Sequence, residues 1–338
     1  VREFMEQKVA PIINKHWLED TFPMELLPEF KKLDICNKGA LLTGLIVQEM
    51  GRVDPSIATF YNIQNGLVIG SINSCGDRIQ KEKWIPQLEN FEKIGCFALT
   101  EPNSGSDAAK GLETTCKWDA SQDCWILNGQ KKWVGNSTWC DISIIWAKDE
   151  HDRVMGFIID NKQRGFTVEK IKDKFGLKVC QNGIITLDNV IVSESHRLPN
   201  KEFKDVLKYT RYLVACEATG CQMGAYEHAL KYAKERKQFG KPIGANQLIQ
   251  DLLAKMLAKI TACQCMCNRL GKLIDKGNYT VAQSSLCKSF CTLRMRETVA
   301  WAREIFGANG LSIEYNVGRF FADAEAIYTY EGSYQMNN

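Results

Sequence analysis

Apolar residues recur along this chain with two different periods, and the change of period divides it. Over residues 1 to about 95 they return every three to four positions, the spacing of helices with one buried face. Val9, Ile12, Ile13 and Trp17 share such a face, and Gly44-Leu-Ile-Val-Gln-Glu-Met50 continues the period. Asp54-Pro55 reads as a helix start, with an Asp cap and a Pro preset for the first helical position. Gly76-Asp77 precedes another helical stretch, Arg78 to Trp84, which Pro86 is expected to help end.

From Cys96 to about Val192 the period falls to two. Ile142 to Ala147, Val154 to Ile159, Phe166 to Ile171 and Ile184 to Val192 are strand-like runs rich in β-branched and aromatic residues. Cys124 to Gln130 is also strand-like and carries the turn signal Asn128-Gly129. From about Phe203 onward the helical period returns. Met223, Tyr226, Leu230 and Ala233 fall on one face, and Leu253, Met256, Leu257, Ile260, Cys267 and Leu270 on another. Breaks at Lys241-Pro242 and Lys276-Gly277 separate long helices, as in a bundle. The expected fold is therefore α+β in three domains: helical over 1–95, a β-barrel or sandwich over 96–192, and a helical bundle over 203–338.

Composition narrows the class. With 338 residues, 45% hydrophobic and 25% charged, the chain can bury a large core. A net charge of +3 makes no case for nucleic acid or an acidic membrane surface as partner. No apolar run reaches the eighteen residues of a transmembrane helix. The fourteen cysteines lack the spacing of a secreted disulfide framework, so reduced thiols are expected. Cys263, Cys265 and Cys267 lie two apart in a helical pattern, where neighbours point to different faces, and the four histidines lack zinc-site spacing. No metal site is expected. The chain begins without Met, so it is expected to be a trimmed one.

Candidate chemistry lies in five short stretches. Leu99-Thr-Glu-Pro-Asn-Ser-Gly-Ser-Asp107 is a loop of hydroxyls and turn formers that can offer donors to an electron-rich ring or a phosphate, or can be a plain turn. Lys132-Trp-Val-Gly-Asn136 ends a strand with an indole and a glycine, a stacking face. Glu235-Arg-Lys-Gln-Phe-Gly240, with Gln247 beyond, puts a cation, an aromatic and an amide after a helix, suited to a diphosphate and adenosine or to a solvated helix end. In Phe306-Gly-Ala-Asn-Gly310 two glycines permit close backbone approach. Last, Tyr328-Thr-Tyr-Glu-Gly-Ser-Tyr-Gln335 sets a carboxylate, Glu331, between aromatics and a glycine.

In order and spacing these stretches resemble the acyl-CoA dehydrogenase and acyl-CoA oxidase superfamily of flavoproteins. The likeness spans nearly the whole chain. Its most specific parts are Thr100-Glu-Pro-Asn-Ser-Gly-Ser-Asp107, Arg236-Lys-Gln-Phe-Gly240 and Tyr330-Glu-Gly332. Within the superfamily the sequence looks most like glutaryl-CoA dehydrogenases and the short-chain acyl-CoA oxidases of plant peroxisomes.

The resemblance implies a homotetramer, a dimer of dimers, with FAD between the β domain and the C-terminal helices. It places Phe97, Leu99, Thr100, Gly105, Ser106, Trp133 and Gly135 at the flavin. Arg236, Phe239 and Gln247 would hold the ADP half of an FAD bound mainly by a neighbouring subunit, with Glu304 to Gly310 contributing through Glu304, Gly307 and Gly310. Ser333 and Gln335 match positions near the cofactor, and Ser106, Arg211, Tyr330 and Gly332 positions on the substrate side.

Glu331 matches the family's base. It would take the α-proton of an acyl-CoA as the β-hydride goes to the flavin, giving the trans-2-enoyl-CoA in fatty-acid or amino-acid breakdown. Its backbone N–H and a flavin ribityl hydroxyl would hold the thioester oxygen. A few relatives carry the base at the position of Thr210, which cannot act as one.

Electrons would pass to electron-transferring flavoprotein in a dehydrogenase or to oxygen, as hydrogen peroxide, in an oxidase. The implied compartment is the mitochondrial matrix, or the peroxisome for an oxidase. Gly135 stands where the dehydrogenases mostly carry threonine and the oxidases glycine, which is expected to leave space beside the flavin. Ala58 falls where glutaryl-CoA dehydrogenase carries a carboxylate-binding arginine, so a short monocarboxylic chain is expected. Ala308 replaces a glycine, and the terminal helix beyond Gln335 is absent from the chain. A non-catalytic homologue of the same fold is the rival reading.

Overall fold

A computed structural model describes residues 1–107, 110–200 and 203–337. The N-terminal part is helical: α1 (Ile13–Glu19), α2 (Ala40–Val53), α3 (Pro55–Tyr61) and α4 (Arg78–Glu89) are its main elements. The cap is as the sequence suggests, since Asp54 Oδ1 accepts from the Ile57 N–H at 2.7 Å. α3 leads through a wider π-helical run, Asn62–Ile69, into Gly70–Cys75. Such runs are uncommon and often mark functional sites. One expectation fails here: α4 continues through Pro86 to Glu89. A helix can absorb the one hydrogen bond that proline removes when its packed face holds it in place.

The middle part is an eight-stranded sheet: β1 (Gly95–Ala98), β2 (Thr115–Asp119), β3 (Cys124–Gly135), β4 (Ile142–Lys148), β5 (Val154–Asp160), β6 (Phe166–Lys170), β7 (Asn182–Ser193) and β8 (Arg197–Leu198). Their order is β6-β7-β3-β2-β4-β5-β8, with β1 parallel to β4. Asn128-Gly129 makes no hairpin turn. It lies inside β3 where the register against β7 shifts between Leu127 and Gly129, and Gly129 has φ 143°. The glycine serves a bulge, because an extra residue in one strand needs a backbone conformation that few others adopt.

The C-terminal part packs α5 (Phe203–Glu235), α6 (Gln247–Asp275), α7 (Val281–Ile305) and α8 (Val317–Thr329), with a ribbon of β9 (Lys237–Gln238) and β10 (Lys241–Pro242) after α5. The buried line of α5 is built of small residues, Ala215, Ala218, Cys221, Ala225 and Ala229, rather than the larger ones at Met223, Tyr226 and Leu230. That lets α2 and α5 approach closely: a Cβ on Gly51 would sit 2.9 Å from the Glu217 carbonyl. On α6, Leu257 is exposed although Met256, Ile260 and Leu270 are buried.

An aromatic cluster ties the first helices to the sheet. Phe22 stacks on Trp139 at 4.7 Å between centroids, and Phe60 of α3 packs on both. Burial of such rings is the main favourable term in folding. The buried pair Asp54–Arg319 joins α3 to α8, with Arg319 also donating to the Val53 carbonyl at 3.0 Å.

The cysteines are free thiols. Cys263 and Cys267 are buried and Cys265 is exposed, as the helical spacing requires. Cys267 meets Cys287 and Cys291 of α7 at 4.0 Å, a grouping of thiols from two helices that the spacing within either could not show.

Candidate active site

The site gathers where the π-helical run, the end of β3, α5 and the loop after α8 meet. Glu331 stands on that loop with φ 54°, followed by Gly332 at φ 90°. A left-handed pair turns the chain sharply, and the second position suits glycine. Glu331 is half-buried, and its Oε2 accepts from the Thr210 hydroxyl on α5 at 2.9 Å. Thr210 thus supports the carboxylate.

Two buried side chains hold this loop in shape. Lys288 of α7 donates to the carbonyls of Tyr328 at 2.8 Å and Gly332 at 2.7 Å, bracketing Glu331. Asn337 Nδ2 donates to the carbonyls of Gly332 at 2.8 Å and Ser333 at 3.1 Å. Burial pushes the Lys288 ammonium down to about 8, partly countered by Glu331. Neither residue was legible as a site residue, since a lysine within a helical pattern reads as a solvated one.

Packing also raises the Glu331 carboxyl above its ordinary 4.5. The bond from Thr210 and the charges of Arg211 and Lys288 counter only part of that effect. This group therefore favours the folded state most below its unfolded pKa, and that contribution is lost as pH rises through the raised folded value. Ionisation therefore costs stability and yields a carboxylate able to accept a proton. If this carboxylate acts as a base, kcat/KM should fall on the acid side of the pH profile with a midpoint above 4.5; a midpoint at or below 4.5 would contradict that role.

Arg211 is half-buried and donates to Ser285 Oγ at 3.0 Å, while its charge acts on Glu331. Tyr330 reaches back to α3, its hydroxyl 3.4 Å from Thr59 Oγ1. Ser333 and Tyr334 are half-buried, and Gln335 is exposed at the start of the last turn.

The hydroxyl loop and the Trp133 strand end lie together, joined by the Lys132 N–H donating to the Thr100 carbonyl at 2.8 Å. Phe97 and Thr100 are half-buried and Leu99 is buried; Gly105 and Ser106 are exposed. Within the motif, Glu101 is an anchor rather than a reactive acid. It is buried with Lys131 at 2.7 Å and accepts from the Thr114 N–H at 3.0 Å. Burial raises its carboxyl, and these bonds outweigh that and leave it lowered. Trp133, at φ 63°, presents a half-exposed indole.

Gly135 departs from expectation. A Cβ there would collide with Ile63 Cδ1, from the π-helical run, and lie 3.4 Å from Cys180 Sγ. The missing side chain therefore leaves no open space; Ile63 fills it.

The third and fourth stretches meet at a cleft of about 300 Å³ lined by Arg236, Gln238, Glu304, Gly307 and Asn309. Phe306 stacks on Tyr232 beneath it at 4.0 Å between centroids. Phe239 is 97% exposed at the ribbon tip, and Gln247 is exposed at the start of α6. Gly310 is buried against the Arg303 carbonyl, and Ala308 is exposed.

The residues fit a dinucleotide flavin. The hydroxyl loop holds a buried Ser104 Oγ without a partner, the indole of Trp133 is half exposed at the strand end tied to that loop, and the cleft at Arg236 carries a cation, amides and close-approach backbone. Arg236, Phe239 and Gln247 are exposed.

Comparison with known proteins bears on this geometry. The models of the acyl-CoA dehydrogenase N-terminal, middle and C-terminal domains match residues 1–92, 96–190 and 202–337. The caffeyl-CoA reductase–Etf complex subunit CarC of Acetobacterium woodii is 30% identical, over 99% of this chain and 93% of its own. Among solved structures, glutaryl-CoA dehydrogenase of Mycobacterium smegmatis superposes with a TM-score of 0.95 at 31% identity, covering 99% of this chain and 90% of its own. Butyryl-CoA dehydrogenase of Megasphaera elsdenii gives 0.94 at 29% identity, covering 99% and 93%. A glutaryl-CoA dehydrogenase structure from M. smegmatis was solved with FADH2 bound. No described helix is long and apolar enough to cross a membrane. The chain belongs to the acyl-CoA dehydrogenase family of oxidoreductases, and its cofactor is FAD.

Proposed function

We propose that this chain dehydrogenates a short-chain monocarboxylic acyl-CoA at Cα–Cβ, giving the trans-2-enoyl-CoA, with Glu331 as the base. The observation that carries the reading is the Glu331 carboxylate itself, fixed on a left-handed turn between the two carbonyls that Lys288 grips. An α-proton beside a thioester is weakly acidic, so its removal needs a carboxylate placed beforehand at hydrogen-bond reach. The raised carboxyl holds the proton it receives more firmly than an exposed glutamate would. The Glu331 backbone N–H is the donor for the thioester oxygen, stabilising charge as the α-carbon loses its proton. Bound FAD supplies the acceptor for the β-hydride.

In this reading Thr100, Ser106, Trp133 and Gly135 line the flavin ring. Arg236, Phe239 and Gln247 hold the ADP half of a second subunit's FAD in a homotetramer. The bare Phe239 supports that assignment, because a large exposed aromatic on a soluble surface is commonly an interface residue. Ala58, fully buried, offers no cation to a dicarboxylic chain.

Electron-transferring flavoprotein is the proposed acceptor. Two relatives support it: the A. woodii subunit named for its Etf complex, and a structure from Acidaminococcus fermentans titled for an electron-transferring flavoprotein. Ile63 against Gly135 supports it further, since the glycine opens no space at the ring. The test is anaerobic reduction by butyryl-CoA followed by air. Slow reoxidation, with fast electron transfer to added electron-transferring flavoprotein, is the expected result. Rapid reoxidation with stoichiometric hydrogen peroxide makes the chain an oxidase, and a purified protein that takes up no FAD makes it a non-catalytic homologue.

A further inference from the structure

Glu217 lies on α5 seven residues beyond Thr210, and it is fully buried. Seven residues are two helical turns, so the two side chains share a face of the helix. Both reach the turn that carries Glu331. Thr210 donates to the Glu331 carboxylate, and Glu217 is hydrogen-bonded to Tyr330, the residue before it. The other partners of Glu217 come from α3 and the π-helical run. Its Oε1 accepts from the Thr59 hydroxyl at 2.6 Å, and its Oε2 from Asn62 Nδ2 at 2.7 Å. The Thr59 hydroxyl lies 3.4 Å from that of Tyr330 and closes the network.

The far side of this network leads to Gly135. Asn62 opens the π-helical run, and Ile63, next in the chain, fills the space beside Gly135 at the end of β3. The run also packs hard on α5, since a Cβ on Gly66 would lie 3.2 Å from Thr210 Cγ2 and closer still to Leu213. One carboxylate is therefore bonded both to the neighbour of Glu331 and to the neighbour of the residue packed at Gly135. A buried group bonded to three elements holds them in one arrangement, because a shift of any of them strands a polar atom.

Resting on the dehydrogenase reading above, we infer that Glu217 is a positioning residue that fixes the separation of Glu331 from the flavin face at Gly135. The reaction needs such a brace. Proton and hydride leave adjacent carbons of one substrate, so base and acceptor must stand at one distance, and a misplacement of about 1 Å can cost roughly 10²-fold in rate. Burial alone is not the reason. Asp323 of α8 is equally buried, but its bonds go to Trp17 Nε1 at 2.9 Å and the Leu177 N–H at 2.6 Å rather than to the base turn.

The test mixes the holoenzyme anaerobically with butyryl-CoA in D2O and reads two quantities, bleaching of the flavin and deuterium gained at Cα of the recovered thioester. Glu217→Leu should slow bleaching roughly 10²-fold with little change in KM, and raise exchange relative to bleaching by about tenfold or more. Thr210 still holds the carboxylate at the α-proton there, while the β-carbon is no longer aligned with its acceptor. Glu217→Gln should stay near the wild type. Its amide accepts from Thr59 and Tyr330 and, once the Asn62 amide rotates, donates to Asn62 Oδ1, which is buried without a partner. Tyr330→Phe removes one hydroxyl and should move the ratio the same way as Glu217→Leu, so it decides the matter if the leucine variant yields no flavin-bound protein. Asp323→Asn is the control and should leave the ratio unchanged. A ratio unmoved in Glu217→Leu or Tyr330→Phe overturns the inference. So does one raised as far by Glu217→Gln or by Asp323→Asn. In each case wild-type bleaching leaves the dehydrogenase reading standing. If butyryl-CoA does not bleach the wild type, that reading falls and this one with it.

Discussion

Glu331→Gln should keep the flavin absorbance of the purified protein and lower its reduction by acyl-CoA by roughly 10³-fold or more. The substitution changes little except proton affinity. The amide oxygen of a glutamine can still accept from Thr210 in place of the carboxylate, and the left-handed backbone at φ 54° suits a glutamine as well as a glutamate. The Lys288 and Asn337 bonds go to backbone carbonyls, so the turn survives the change. In the proposed mechanism, what is lost is the group that removes the α-proton. Rapid-mixing reduction at constant flavin content is the measurement, and wild-type rates in the variant would place the base elsewhere.

Lys131→Met should cost about 3–5 kcal/mol of stability, because it strands the Glu101 carboxylate in a buried place without its cation. The cofactor should be affected too. Glu101 follows Thr100 in the hydroxyl loop, and through Lys131 and the N–H groups of Glu113 and Thr114 it ties that loop to β2 and β3. Loss of the tie should loosen Thr100 and Ser106, and FAD should dissociate at lower denaturant than it does from the wild type. Adding Glu101→Gln removes the stranded charge while keeping an acceptor, so the double variant should recover part of the loss. Equilibrium unfolding read by flavin fluorescence checks both. A double variant less stable than the single would show that charge was not the reason.

Several features were legible because they are local. The Asp54 cap and the strands at β4 to β7 depend on residues within a few positions of one another, and their periods are written directly in the chain. The Asn128-Gly129 bulge was misread because the same dipeptide serves a turn or an irregular strand, and only pairing with β7 decides which. Pro86 was misread because propensity is a weak prior that packing overrides. The Gly135 neighbourhood was misread because a missing side chain says nothing of what fills its place, and Ile63 comes from another element.

By itself the sequence determined the three-part order of elements and the stretches that bear chemistry, since periods and short motifs are properties of neighbours along the chain. Only the tertiary structure decided which groups those stretches meet. Lys288 grips the Gly332 carbonyl, beside Glu331, from 44 residues away. Arg236 shares its cleft with Glu304 and Gly307, and Glu217 of α5 meets Thr59 and Asn62 from more than 150 residues earlier. Such contacts join surfaces that the chain brings together only when its core is packed, and burial then sets what each charged group can do.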